Sequence, residues 1–217
     1  MASKGRLSGI IRPIQLIWLS VQPGGFIAYE NTTCIPFLLR SAQGKILELG
    51  PGPGNQIQRY VPSLVDTIYA VDPNPHYGDA IAAKLKKLDL QDKYKFLTCG
   101  VEESDILLRE GITEGSMDTV MCSVGDVKSV MRAVWKLLKP GGSFIFWEHE
   151  RNKDSVTAMA QACLNPAWSA FVGCRMNRDI KADILAAGEW ENPGDIEVDD
   201  DPYSYLPRIW GVLKKKA

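Results

Sequence analysis

Apolar and polar positions change their period repeatedly along the chain. Lys45 to Leu49 is a short apolar run that ends in a glycine-rich turn. Thr67 to Val71, Tyr94 to Thr98 and Met117 to Cys122 have the same strand character. Ser143 to Trp147 sets bulky residues side by side, as expected of a strand covered on both faces. Helical spacing fills the intervals. Over Tyr77 to Leu90, Ile81, Leu85 and Leu88 share one face. Asp126 is of N-cap type, and Val127, Val130, Met131, Val134, Leu137 and Leu138 follow at spacings of three and four until Pro140-Gly141-Gly142. A further helix runs from about Arg178 to Ala187 and stops at Gly188. Two last strands fall near Ile196 to Val198 and Ile209 to Leu213. Residues 1–43 form an N-terminal helical extension, broken at Pro23-Gly24-Gly25. Its second piece, Phe26 to Leu39, reads as a helix disturbed by Pro36. Strands that alternate with helices predict an α/β, doubly wound, mostly parallel sheet over residues 44–217, with 1–43 as a lid. Ligands of such sheets bind beyond the carboxyl ends of the strands, so the chemistry is expected just after each one.

The 217 residues are 45% hydrophobic and 24% charged, which excludes a disordered or fibrous chain. Lys plus Arg total 25 and Asp plus Glu 26, a balance that gives no support to a nucleic-acid partner. The five cysteines are odd in number and none forms a C-x-x-C pair. With only His76 and His149 beside them, neither a disulfide framework nor a metal site is expected. A reducing, cytoplasmic setting follows. There is no apolar run long enough to span a membrane. Ile10 to Val21, which contains Arg12 and Pro13, reads as a lid or core helix, with a signal peptide or peripheral membrane contact as the other readings. The acidic run Glu197 to Asp201 and the tail Lys214-Lys215-Lys216 read as solvated surface.

The first strand runs directly into Glu48-Leu49-Gly50-Pro51-Gly52-Pro53-Gly54. Small residues there let the backbone turn tightly and approach a ligand. In the nicotinamide fingerprint G-x-G-x-x-G the third glycine would fall on Asn55, whereas here it falls at Gly54. No Gly-Lys-Ser/Thr is present, so a phosphate-cradling loop is excluded. Asp72 ends the second strand, where a carboxylate can accept both hydroxyls of a ribose.

The E-x-G-x-G-x-G loop, the acidic end of the second strand, and Gly115-Ser116-Met117-Asp118-Thr119-Val120 before Leu138-Lys139-Pro140-Gly141-Gly142 together resemble a class I S-adenosylmethionine-dependent methyltransferase. Val71-Asp72-Pro73-Asn74-Pro75-His76, Phe146-Trp147-Glu148-His149 and Asn165-Pro166-Ala167-Trp168 with Gly173-Cys174 narrow the resemblance to the thiol methyltransferase branch and its fungal relatives. The resemblance covers roughly residues 44 to 214. It implies a Rossmann-like seven-stranded sheet with an antiparallel last strand, and S-adenosylmethionine as cofactor. Gly50, Gly52 and Gly54 would pack against the amino-acid end of that cofactor, and Glu48 would orient the loop or the ammonium group. Asp72 would hold the ribose, and Val101 and Glu102 the adenine. Ser123 lies on the segment that runs beside the methionine portion in the family. That segment, Cys122 to Asp126, is shorter here than is usual.

Among candidate catalytic groups, His149 ends the fifth strand with a pKa suited to a general base. Glu148 alternates with it across the sheet, so one of the two faces the site. Tyr29 in the N-terminal extension could close over the methyl group, as lids do in this class, with a core aromatic as the other reading. His76 could cover the cofactor, Trp147, Trp168 and Phe171 could line an apolar substrate pocket, and Cys174 and Arg178 match the family on its substrate side. The expected activity is methyl transfer to sulfur, oxygen or nitrogen of a small, fairly apolar molecule, in secondary metabolism for a fungal-type relative. Two other readings keep the fold: a methyltransferase-like cyclase or isomerase, and a non-catalytic subunit.

Overall fold

The computed structural model describes residues 24–88, 90–121, 126–172, 174–199 and 201–217. Two short helices, α1 (Gly25–Glu30) and α2 (Ile35–Arg40), precede β1 (Gly44–Leu49). Pro36 does not disturb one long helix. It stands in the first turn of α2, where a missing N–H costs nothing. The chain continues through β2 (Val65–Val71), α3 (Gly78–Leu85), β3 (Tyr94–Leu97), α4 (Ser104–Arg109), β4 (Asp118–Met121), α5 (Val127–Leu137) and β5 (Ser143–His149). It closes with α6 (Ser155–Val172), α7 (Ile180–Leu185), β6 (Glu197–Val198) and β7 (Arg208–Lys214).

The seven strands lie in the order β3-β2-β1-β4-β5-β7-β6. The first five pair in parallel, and β7 is antiparallel, as the family resemblance implies, and lies between β5 and β6. Strand alternation sorts the core into two faces. Leu47, Leu49, Met121, Phe144 and Phe146 meet Val130, Met131 and Val134 of α5 and Ile180 and Ile184 of α7. Ile46, Ile68, Val120, Ile145 and Trp147 meet Ile35, Leu38 and Leu39 of α2 and Ile81 of α3. The helix after Asp126 starts as its sequence predicts: the carboxylate accepts from Lys128 N at 3.2 Å and from Ser129 Oγ at 2.9 Å.

The 18-residue helix α6 has no counterpart in the sequence reading. Its pattern is inverted. Val156, Met159 and Leu164 are exposed while Thr157 and Gln161 are buried. Gln161 takes its place by tying loops together, donating to Met176 O at 2.8 Å and Tyr205 O at 3.2 Å and accepting from Asn152 N at 2.8 Å. Among the described residues no helix is long and apolar enough to cross a membrane. Ile10 to Val21 lies outside them.

Candidate active site at the carboxyl edge of the sheet

The turn after β1 is built by left-handed backbone at Gly50 (φ 64°), Gly52 (φ 53°) and Gly54 (φ 77°). A Cβ on Gly54 would come 2.5 Å from Ile57 Cδ1 and 3.1 Å from Ile81 Cγ1, and its φ of 77° strains any side chain placed there. Gly52 faces open space. Its N–H donates to Asp72 Oδ2 at 3.3 Å, and Asn74 N donates to Oδ1 at 2.9 Å. Asp72 is thus fixed at the end of β2 with a lone pair on each oxygen still unused. An open glycine turn beside an anchored carboxylate fits a ribose-bearing ligand lying over Gly52. Glu48 lies beneath, fully buried, and accepts from the Tyr94 hydroxyl at 2.9 Å. Burial raises its pKa to about 7 against the opposing hydrogen bonds of Tyr94 and Tyr60.

Other candidates lie along the same edge. Val101, in the turn after β3, is buried, while Glu102 is exposed, with Oε2 2.7 Å from where a Gly100 Cβ would stand. His76 is exposed in a single 3₁₀ turn, where its N–H donates to Asn74 Oδ1 at 3.0 Å. Ser123 and the short segment around it, and the Phe171 side chain, fall outside the described residues.

A second cluster gathers where β5 ends and β7 begins. His149 is buried, with its ring edge-on to Trp168 at 6.0 Å between centroids. Desolvation first, and Arg208 second, hold its pKa well below the usual value, so the imidazole is neutral near pH 7. Its Nδ1 is buried and has no partner. Trp168 Nε1–H donates to Cys174 Sγ at 3.0 Å, and burial pushes the Cys174 thiol up. Tyr29, half-buried on α1, packs on the Trp168, Met176 and Leu206 cluster and accepts a hydrogen bond from Arg208. Alternation puts Trp147 on the His149 side and Glu148 on the other, where Arg178 feels its charge. The sequence reading placed His149, Tyr29, Trp168 and Cys174 near the substrate, and the fold brings them together. It did not single out Arg208. The only sequence signal for this residue is a charge at the mouth of an apolar strand. Among the described residues no cluster of metal-ligating side chains occurs.

The family described as "Methyltransferase domain" matches residues 47–146. The chain is 29% identical over 170 residues to the thiol S-methyltransferase TMT1B of Rattus norvegicus, covering 75% of this chain and 66% of that protein. It is 31% identical over 155 residues to the thiol S-methyltransferase TMT1B of Homo sapiens, covering 67% of this chain and 61% of that one. The chain thus spans less than two thirds of the length of these relatives. In fold it is similar to the N-methyltransferase NodS of Bradyrhizobium japonicum WM9, solved in complex with S-adenosyl-L-homocysteine. That match has a TM-score of 0.58 at 12% identity and covers 88% of each chain. With the strand order, the glycine turn and the Asp72 anchor in place, residues 47–146 are a methyltransferase domain, and the chain is similar to the class I S-adenosylmethionine-dependent methyltransferases.

Proposed function

We propose that the protein moves the methyl group of S-adenosylmethionine to the sulfur of a small, fairly apolar thiol. The observation that carries this is the buried Asp72 carboxylate tied to the open glycine turn at Gly52. In this reading Asp72 holds the ribose hydroxyls, the loop from Gly50 to Gly54 lies against the amino-acid end, and Val101 and Glu102 meet the adenine. The bound cofactor supplies a methyl group already activated on a sulfonium.

The chain's remaining task is alignment, which lowers such barriers by up to about 7–11 kcal/mol. In this reading Trp147 and Trp168, both buried on the side of His149, wall the acceptor, which favours a small apolar substrate. His149, buried and held neutral by desolvation and by Arg208, lines the same side as an uncharged ring. Sulfur as acceptor is supported by the relatives named thiol S-methyltransferases. A thiol with a pKa of about 8.5 also asks less of a base than an alcohol does. We assign the protein to a reducing compartment, the cytoplasm, which the unpaired Cys34, Cys99, Cys163 and Cys174 support. A place in secondary metabolism rests on the sequence resemblance.

The test is to incubate purified protein with methyl-labelled S-adenosylmethionine and a panel of thiols, phenols and amines. Label is expected in a thioether, with one S-adenosylhomocysteine formed per product. Asp72→Ala is expected to weaken S-adenosylhomocysteine binding at least tenfold. Label in phenols or amines alone, or in none of the panel, would overturn the thiol reading.

A further inference from the structure

Arg208 is the first residue of β7 and stands opposite His149, the last of β5. It is 8% exposed, and its guanidinium carbon lies 3.2 Å from the centre of the Trp147 ring. Its Nε is buried without a partner. The ion pairs among the described residues join other groups, and Glu148 and Glu30 act on this guanidinium through their charge alone. A buried cation without a counter-ion is costly, and an arginine cannot escape by losing its proton.

The titratable groups around it come from every neighbouring element, and none forms an ion pair with it among the described residues. Tyr29 on α1 offers a hydroxyl. Glu30, next to it, is held by Arg59 and Gln56. Cys34 before α2 and Cys174 after α6 are thiols that burial keeps protonated. His149 is neutral, and Glu148, which springs from the opposite face of β5, is felt by Arg208 only as a charge and not as a paired partner. The cluster therefore carries a built-in positive charge, walled by Trp147 and Trp168, at the edge of the sheet where acceptors approach.

We propose that Arg208 is the anion-holding residue of the acceptor site and receives the reacting sulfur as a thiolate. This rests on the thiol reading above. The acceptor's S–H bond breaks and its proton goes to bulk water. The sulfur lone pair then forms the new bond to the donor methyl, and the electrons of the broken carbon–sulfonium bond stay on the donor sulfur, which leaves as a neutral thioether. Arg208 favours the first step by lowering the acceptor's pKa. The His149 ring fills the adjoining space without adding a second charge.

The test uses 4-nitrothiophenol, whose thiolate is coloured, titrated by absorbance in the presence of excess protein loaded with S-adenosylhomocysteine. The bound probe is expected to ionise at least one pH unit lower than the free probe. That shift is expected to collapse in Arg208→Gln and to survive in part in Arg208→Lys. In turnover, Arg208→Gln is expected to lose at least tenfold in kcat/KM for 2-mercaptoethanol at pH 7, and to recover as the pH rises toward the thiol's own pKa. S-adenosylhomocysteine affinity, unchanged in both variants, reports that they are folded. Should Arg208→Gln fail to fold, Arg208→Lys carries the test. An equal shift in wild type and a folded variant, no binding of the probe by wild type, or a loss of activity that is the same at every pH would each overturn the proposal. Wild-type protein that shifts the probe but methylates no thiol would overturn thiol transfer and leave the anion site standing.

Discussion

Glu48 is a carboxyl group embedded in an apolar sheet face, and its folding energetics follow from that. Burial raises its pKa from 4.5 to about 7. Between those values the folded protein keeps a proton that the unfolded chain has released, so this group makes stability fall as pH rises through the window and level off above it. The full difference is about 3 kcal/mol at 1.36 kcal/mol per unit. Glu150, also raised to about 7 by burial, acts over the same range, so the two must be separated by substitution. Glu48→Gln keeps an acceptor for Tyr94 and removes the titration. Relative to wild type, its stability in urea is expected to rise by up to about 3 kcal/mol from pH 4.5 to pH 8. A difference that does not vary with pH would show that Glu48 is ionised in the fold. Glu48, the glycines and Asp72 were legible in the sequence because they belong to one strand–turn–strand stretch. Arg208 was not, because it meets His149 only through pairing between distant strands.

At the scale of elements, the N-terminal helices are fastened to the cofactor turn by a buried polar clasp. Glu30, at the end of α1, accepts from Arg59 Nη1 at 3.1 Å and from Gln56 Nε2 at 2.9 Å. Arg59 Nη2 also donates to Asn31 Oδ1 at 2.8 Å, and Nη1 to Gln56 Oε1 and to Asn55 O, the latter at 3.3 Å. Both members of the pair are almost fully buried, at 4% and 3% exposure. Removing one partner strands a charge, which costs about 3–5 kcal/mol, whereas replacing both with apolar groups costs less. Arg59→Ala is therefore expected to lose about 3–5 kcal/mol in urea unfolding, and Glu30→Leu with Arg59→Met to lose less than Arg59→Ala alone. Wild-type stability in Arg59→Ala would show that the clasp holds nothing. The clasp escaped the sequence reading for the same reason that α6 did. In both, buried polar groups are satisfied by partners far along the chain, and an apolar pattern carries no trace of them.

For the whole molecule, strand order decides where these pieces meet. The winding reverses between β1 and β4, which opens a crevice at their carboxyl ends beside the Gly50 to Gly54 turn and Asp72. Because β7 is antiparallel, it is its first residue, not its last, that reaches this edge, and so Arg208 arrives beside His149. The alternation of strands and helices made the parallel part of the sheet legible, down to the antiparallel last strand implied by the family resemblance. The insertion of β7 between β5 and β6 depends on seven cross-strand pairs with β5 that no local pattern records. A ligand in the crevice touches the turn after β1, and that turn is joined through Gln56 and Arg59 to α1, so binding should stiffen both. At a hundredfold excess over its Kd, S-adenosylhomocysteine adds about 2.7 kcal/mol to folding stability. For a domain of this size that raises the Tm by about 5–10 °C. Amide exchange is expected to slow at Gly50 to Gly54 and also over Gly25 to Glu30, which the clasp joins to that turn. Protection confined to the glycine turn would mean that the clasp does not couple α1 to that turn. An unchanged Tm at saturation would mean that the crevice does not bind it.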